Sequence, residues 1–129
     1  MNEQTTHLID DVLTIGVPVS DQDRALTFYR DKLGLEALRD LPLPQFGGRW
    51  IEVAPARGMV TIALVPAREG VPSGVQTGIR LKVADAGAVH AELEARGVEV
   101  GEMLRWPGVP PMFGFRDQDG NALEIVEAA

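Results

Sequence analysis

The chain has 129 residues, 45% of them hydrophobic, which is enough for one domain with a packed core. It has no cysteine, which excludes disulfides, thiolate metal sites and cysteine nucleophiles, and its net charge of −7 argues against nucleic acid and anionic membranes as partners. No apolar run approaches the roughly 20 residues of a membrane span, and the polar, acidic start MNEQTTHLIDD is unlike a signal peptide, so a cytoplasmic protein is expected.

Val12 to Val19 reads as a strand, with Leu13, Ile15, Val17 and Val19 on one face and Thr14, Gly16 and Pro18 on the other. Ser20 is expected to cap a helix with Asp23 three residues on, in capping-box fashion. Ala25, Leu26, Phe28, Tyr29 and Leu33 give that helix an apolar face, and Gly34 stops it. Leu35 to Leu38 forms a short strand, Pro42 and Pro44 a loop, and Arg49 to Val53 a strand. Pro55 to Gly58 then turns into a further strand, Met59 to Val65. The segment 66–76, PAREGVPSGVQ, has the proline and glycine content of a linker.

Beyond the linker the pattern restarts. Gly78 to Val83 is a strand, and Asp85 caps a helix carrying Ala88, Val89 and Leu93 that Gly97 ends. Val98 to Met103 is a further strand, and Trp106 to Pro111 a proline-rich loop. The closing stretch MFGFRDQDGNALEIVE is a hairpin with Asp117 to Asn121 at its turn. Closure on that turn sets Glu124 opposite Gly114, on one face with Met112, Arg116, Ala122 and Val126. Phe113, Phe115, Leu123 and Ile125 share the other face. A carboxylate inside so apolar a strand is either solvated at an edge or a pocket group with a partner.

The recurrence is an internal repeat. Val19-Ser20-Asp21 matches Val83-Ala84-Asp85 at an offset of 64, Leu33-Gly34-Leu35 matches Arg96-Gly97-Val98 at 63, and Gly58 matches Gly120 at 62. The expected fold is α+β, a single domain over 1–129 built of two βαβββ modules, residues 12–65 and 77–127, joined by the 66–76 linker.

Val19 to Leu35, V-S-D-x-x-R-A-x-x-F-Y-x-D-x-L-G-L, resembles the first helix of the vicinal oxygen chelate superfamily of glyoxalases, extradiol dioxygenases and bleomycin-binding proteins. Phe115 to Ile125, FRDQDGNALEI, is similar to its closing signature, with Gln118 where proline is commoner. The resemblance covers Val12 to Glu127 and implies curled mixed sheets around a cleft. Metal-dependent members place a donor on the first and the last strand of each module. The matching positions here are Thr14, Gly78, Ile62 or Ala63, and Glu124, so only Glu124 stands where a ligand is expected and no metal or other cofactor is anticipated. His7 in the tail and His90 in the second helix, facing neither strand set, are not expected to substitute.

The candidate ligand-binding residues are Thr14, Phe46, Trp50, Glu52, Arg80, Trp106, Met112 and Glu124. Glycines 16, 78 and 114 should keep the cleft open, and Arg80 is either exposed or paired with Glu124. Glu52, equivalent to Gly114, is a sheet-edge or a cleft carboxylate. The apolar loops around Phe46 and Trp106 either cover the pocket or meet a second chain. The expected function is metal-independent binding of an apolar or aromatic small molecule by a C2 homodimer. The alternative is a glyoxalase-like lyase or dioxygenase, with an atypical metal site built from Glu52 and Glu124 of partner chains. A weaker one is metal-free chemistry with either carboxylate as a general base whose pKa burial raises.

Overall fold

A computed structural model describes residues 8–128; His7 lies outside the described residues. Strand β1 (Thr14–Val19) leads into helix α1 (Gln22–Thr27), which continues through a wider π-helical turn over Phe28–Lys32. Strands β2 (Glu36–Leu43), β3 (Gly48–Ala54) and β4 (Thr61–Pro66) complete the first run. The second run repeats it as β5 (Gln76–Val83), α2 (Ala86–Ala95), β6 (Glu99–Val100), β7 (Met112–Arg116) and β8 (Ala122–Glu127). Two four-stranded mixed sheets result, ordered β1-β4-β3-β2 and β5-β8-β7-β6, neither of them closed. In each, the first strand lies parallel to the last and the remaining neighbours are antiparallel.

Alternation divides each sheet into a helix-covered face and an open one. Ile51, Val53, Ile62 and Leu64 of the first sheet, and Phe113, Phe115, Leu123 and Ile125 of the second, are buried in one continuous core. Ala25 and Tyr29 of α1, and Ala86 and Leu93 of α2, join it from the helices. The closing hairpin has the expected register, Gly114 opposite Glu124 and Phe113 opposite Ile125. Gly120 makes the turn in the left-handed region at φ 79°, where a side chain would be strained.

Several boundaries differ from the sequence expectation, each for a local reason. Asp21, not Ser20, caps α1, accepting from the backbone N–H groups of Asp23 and Arg24. Ser20 is engaged elsewhere, donating through N–H and hydroxyl to Asp119. The strand foreseen over Leu35 to Leu38 runs on to Leu43 and absorbs Pro42. This is possible because β2 is an edge strand, and a proline there leaves no ladder bond unmade. The strand foreseen over Val98 to Met103 shrinks to Glu99–Val100, since Gly101 closes onto the Gly114 carbonyl and the chain then leaves the sheet. His90 does meet a strand: its ring stands edge-on to Phe113, centroids 4.8 Å apart, and Nε2 lies 2.8 Å from the Gly101 carbonyl oxygen.

The D-x-D-G-N turn joins the two runs. Asp117 is buried and accepts the Tyr29 phenol at 2.7 Å, Asn121 Nδ2 at 2.9 Å and two turn N–H groups. Asn121, fully buried, also donates to the Pro18 carbonyl and accepts the N–H groups of Gly74 and Val75. Burial and the adjoining Asp117 carboxylate hold the Tyr29 phenol protonated far above its ordinary pKa, so it serves as a fixed donor.

Candidate functional site

The open face of the first sheet carries a connected polar and aromatic cluster. β3 presents Trp50 and Glu52 two residues apart on one face, and the Trp50 indole N–H donates to Glu52 Oε2. The Thr61 hydroxyl donates to Glu52 Oε1 at 2.8 Å, and the Thr14 hydroxyl lies 2.7 Å from that of Thr61. Thr14 meets Thr61 because β1 and β4 pair in parallel at that position. Arg39 of β2 comes within 4.0 Å of Glu52 from the edge. Phe46 turns its ring to Trp50 at 6.0 Å in an edge-to-face arrangement, and the Arg68 guanidinium lies over Phe46 at 5.6 Å.

Glu52 is thereby an ionised acceptor. The Trp50 hydrogen bond lowers its pKa, burial opposes this, and Thr61 and Arg39 reinforce the lowering. A general base with a pKa raised by burial, one of the sequence-level alternatives, is therefore not what Glu52 provides. Its two oxygens are already engaged, one with an indole and the other with a hydroxyl.

On the second sheet, Arg80 and Glu124 stand opposite each other on the parallel strands β5 and β8, with Nε and Oε1 2.9 Å apart. The pair forms, but it is not buried: the side chains are 70% and 34% exposed. Gly114 lies beneath Glu124 on β7 and leaves the floor open, its nearest would-be neighbour being the Leu123 carbonyl oxygen at 3.6 Å. A cavity of about 240 Å³ forms over this floor, bounded by Gln76, Val100, Gly101, Arg116 and Glu124. Gly78 adopts φ 74° where β5 bulges off β8 between Gln76 and Arg80.

The single cleft drawn from the sequence is thus two half-sites in one chain. Thr14, Phe46, Trp50 and Glu52 come together on the first sheet, and Arg80 and Glu124 on the second. Neither Met112 nor Trp106 borders the second-sheet cavity. Met112 is half-buried and bridges to Leu104, whereas Trp106 is 60% exposed on its loop. Three participants escaped sequence reasoning. Thr61 becomes visible only once β1 is known to pair with β4, Arg39 falls on the part of β2 read as loop, and Arg68 lies in the linker.

Strand pairing also resolves which residue of the first module matches Glu124. Glu124 lies between Arg80 and Gly114; Ala63 lies between Gly16 and Glu52 in the same arrangement, so Ala63 and not Ile62 is its counterpart. The residues at the four expected metal positions are therefore Thr14, Ala63, Gly78 and Glu124, of which only Glu124 is a strong ligand. Among the described residues no three His, Asp or Glu side chains come together to hold an ion.

Comparison with known proteins bears on the family and the fold. The family model for the Glyoxalase/Bleomycin resistance protein/Dioxygenase superfamily matches residues 9–125. The crystal structure of TnmS3, an antibiotic binding protein from Streptomyces sp. CB03234, is similar at 34% identity and a TM-score of 0.84, over 94% of this chain and 98% of that one. A member of the same superfamily from Sphaerobacter thermophilus DSM 20745 is similar at 31% identity and a TM-score of 0.86, over 94% and 99%. The uncharacterized protein YetH of Bacillus subtilis (strain 168) is 27% identical over 125 residues, 93% of this chain and 100% of that protein.

Proposed function

The chain belongs to the Glyoxalase/Bleomycin resistance protein/Dioxygenase superfamily, and from that premise we propose that it is a metal-independent small-molecule binding protein holding a flat apolar or aromatic compound. The observation that carries this reading is the Phe46–Trp50–Glu52 cluster. It offers an aromatic wall beside an ionised carboxylate already held by protein hydrogen bonds. A planar ligand gains apolar contact with Trp50 and Phe46, and a donor on its rim can share Glu52. The second half-site supplies an open glycine floor and the Arg80–Glu124 pair, whose exposed groups can orient a polar substituent. The similarity to an antibiotic binding protein supports a small-molecule ligand.

We further propose a C2 homodimer, in which the two half-sites are brought to face each other and the Trp106–Met112 loop is partly covered. The cysteine-free acidic chain suits a reducing cytoplasm. The test is tryptophan fluorescence of Trp106→Phe, which leaves Trp50 as the reporter, titrated with a panel of planar polycyclic aromatic compounds with and without EDTA. Saturable quenching that EDTA does not alter, and that Trp50→Ala in the wild-type background reduces by roughly tenfold or more in affinity, is expected. Binding that disappears with EDTA and returns with a divalent metal ion would overturn the metal-free reading. Wild-type affinity in Trp50→Ala would overturn the site.

A further inference from the structure

The two modules touch near the ends of their first helices, where Lys32 Nζ donates to the Arg96 carbonyl at 2.6 Å and Arg96 Nη1 donates to the Lys32 carbonyl at 3.0 Å. The turn of the second module is fastened to the start of the first by Asp117–Tyr29, Asp119–Ser20 and Asn121–Pro18. At the repeat offsets, the turn residues Asp117, Asp119 and Asn121 become Pro55, Arg57 and Met59. Their partners Tyr29, Ser20 and Pro18 become Leu93, Ala84 and Lys82. None of the side-chain hydrogen bonds of the latch can form between these replacements. Where the second latch would close, the structure instead has a groove of about 590 Å³ bordered by Pro55, Arg57, Lys82 and Leu93, with Leu35, Val89 and Ile125 among its walls.

We propose that this groove is a second small-molecule site, distinct from the open faces of the sheets, and that it takes an aliphatic carboxylate of medium chain length. The volume is that of an ordinary ligand cavity. Its walls are aliphatic and carry no aromatic ring, which suits a flexible chain rather than a stacked plane. The charged groups bordering it are both cations, Arg57 and Lys82, and neither forms an ion pair among the described residues. In a chain of net charge −7, two uncompensated cations bordering one apolar groove favour an anionic ligand there.

The experiment is isothermal titration of the full chain with decanoate and, separately, with decanol. One saturable decanoate site per chain is expected. In Arg57→Glu/Lys82→Glu, whose changes lie on exposed side chains, decanoate should bind roughly tenfold or more weakly, the scale of one charge-assisted hydrogen bond, while decanol is unaffected. Trp50→Ala should leave decanoate binding unchanged, which separates this site from the aromatic one. The double variant Pro55→Asp/Leu93→Tyr, if urea unfolding shows it folded, rebuilds the missing latch pair and should block decanoate. The inference fails if wild type shows no saturable decanoate binding, or if binding follows Trp50 and ignores the charge reversal. It fails equally if the charge reversal shifts subunit dissociation rather than decanoate affinity, for then a second chain occupies the groove.

Discussion

Arg80 and Glu52 show how differently two charged side chains on open sheet faces are held. Arg80 meets Glu124 at 2.9 Å yet remains 70% exposed, so water can replace either partner and the pair contributes at most about 1 kcal/mol. Urea unfolding of Arg80→Met should therefore give a stability within about 1 kcal/mol of wild type at both pH 7 and pH 5. A loss near 3 kcal/mol, the scale of a broken buried pair, would mean that Glu124 is far less hydrated than its exposure indicates. Glu52 is only 15% exposed and is held by an indole and a hydroxyl, so its pKa in the fold lies below the ordinary 4.5. A carboxylate with a depressed folded pKa contributes stability that is complete above its unfolded pKa and is lost as pH falls through the folded one. The stability lead of wild type over Glu52→Gln should accordingly narrow on acidification from about pH 6 to about pH 3. A lead that stays constant or widens across that range would show that Glu52 is not stabilised as the anion.

At the scale of elements, the Asp117–Asn121 turn does more than reverse the chain. Its residues read in sequence as cheap turn formers, and they are that, but Asn121 is 0% exposed and ties three segments together. It holds the end of β1 through Pro18, the approach to β5 through Gly74 and Val75, and the turn itself through Asp117. Asn121→Ala strands the buried Pro18 carbonyl and removes the acceptor of two part-buried backbone N–H groups, so a loss on the order of 3 kcal/mol is expected in urea unfolding. Tyr29→Phe removes one donor from Asp117, which keeps Asn121 and the turn N–H groups, and should cost roughly 1–2 kcal/mol. A smaller loss for Asn121→Ala than for Tyr29→Phe would refute the assignment of Asn121 as the centre of the junction. The hairpin register was legible in the sequence because its apolar period of two admits one closure around the turn. The edges β2 and β6 were not, because a proline tolerated at an edge and a glycine closing onto a neighbouring carbonyl are tertiary effects.

For the molecule as a whole, the tandem repeat was readable because equivalent caps, glycines and turns recur at offsets of 64, 63 and 62, and these mark local structure. The candidate site was readable only by halves. Alternation places Trp50, Glu52, Arg80 and Glu124 on open faces, but it cannot say that the two sheets hold them apart, because that depends on how the modules pack. The proposed dimer addresses this separation, and the exposed surface gives it a test. Trp106 and Val109 are 60% and 38% exposed on a proline-stiffened loop, so the loop can bury apolar surface at little further cost in backbone entropy. Light scattering at micromolar concentration should report twice the 13.9 kDa chain mass for wild type. Trp106→Glu, which sets a charge into the apolar contact, should shift the mass toward a single chain while leaving the thermal midpoint, extrapolated to low concentration, nearly unchanged. Because the half-sites would then no longer face each other, the same variant should also weaken quenching of Trp50 by planar ligands. A wild-type protein that is monomeric at those concentrations, or a dimer indifferent to Trp106→Glu, would remove this loop from the interface and leave each half-site to bind alone.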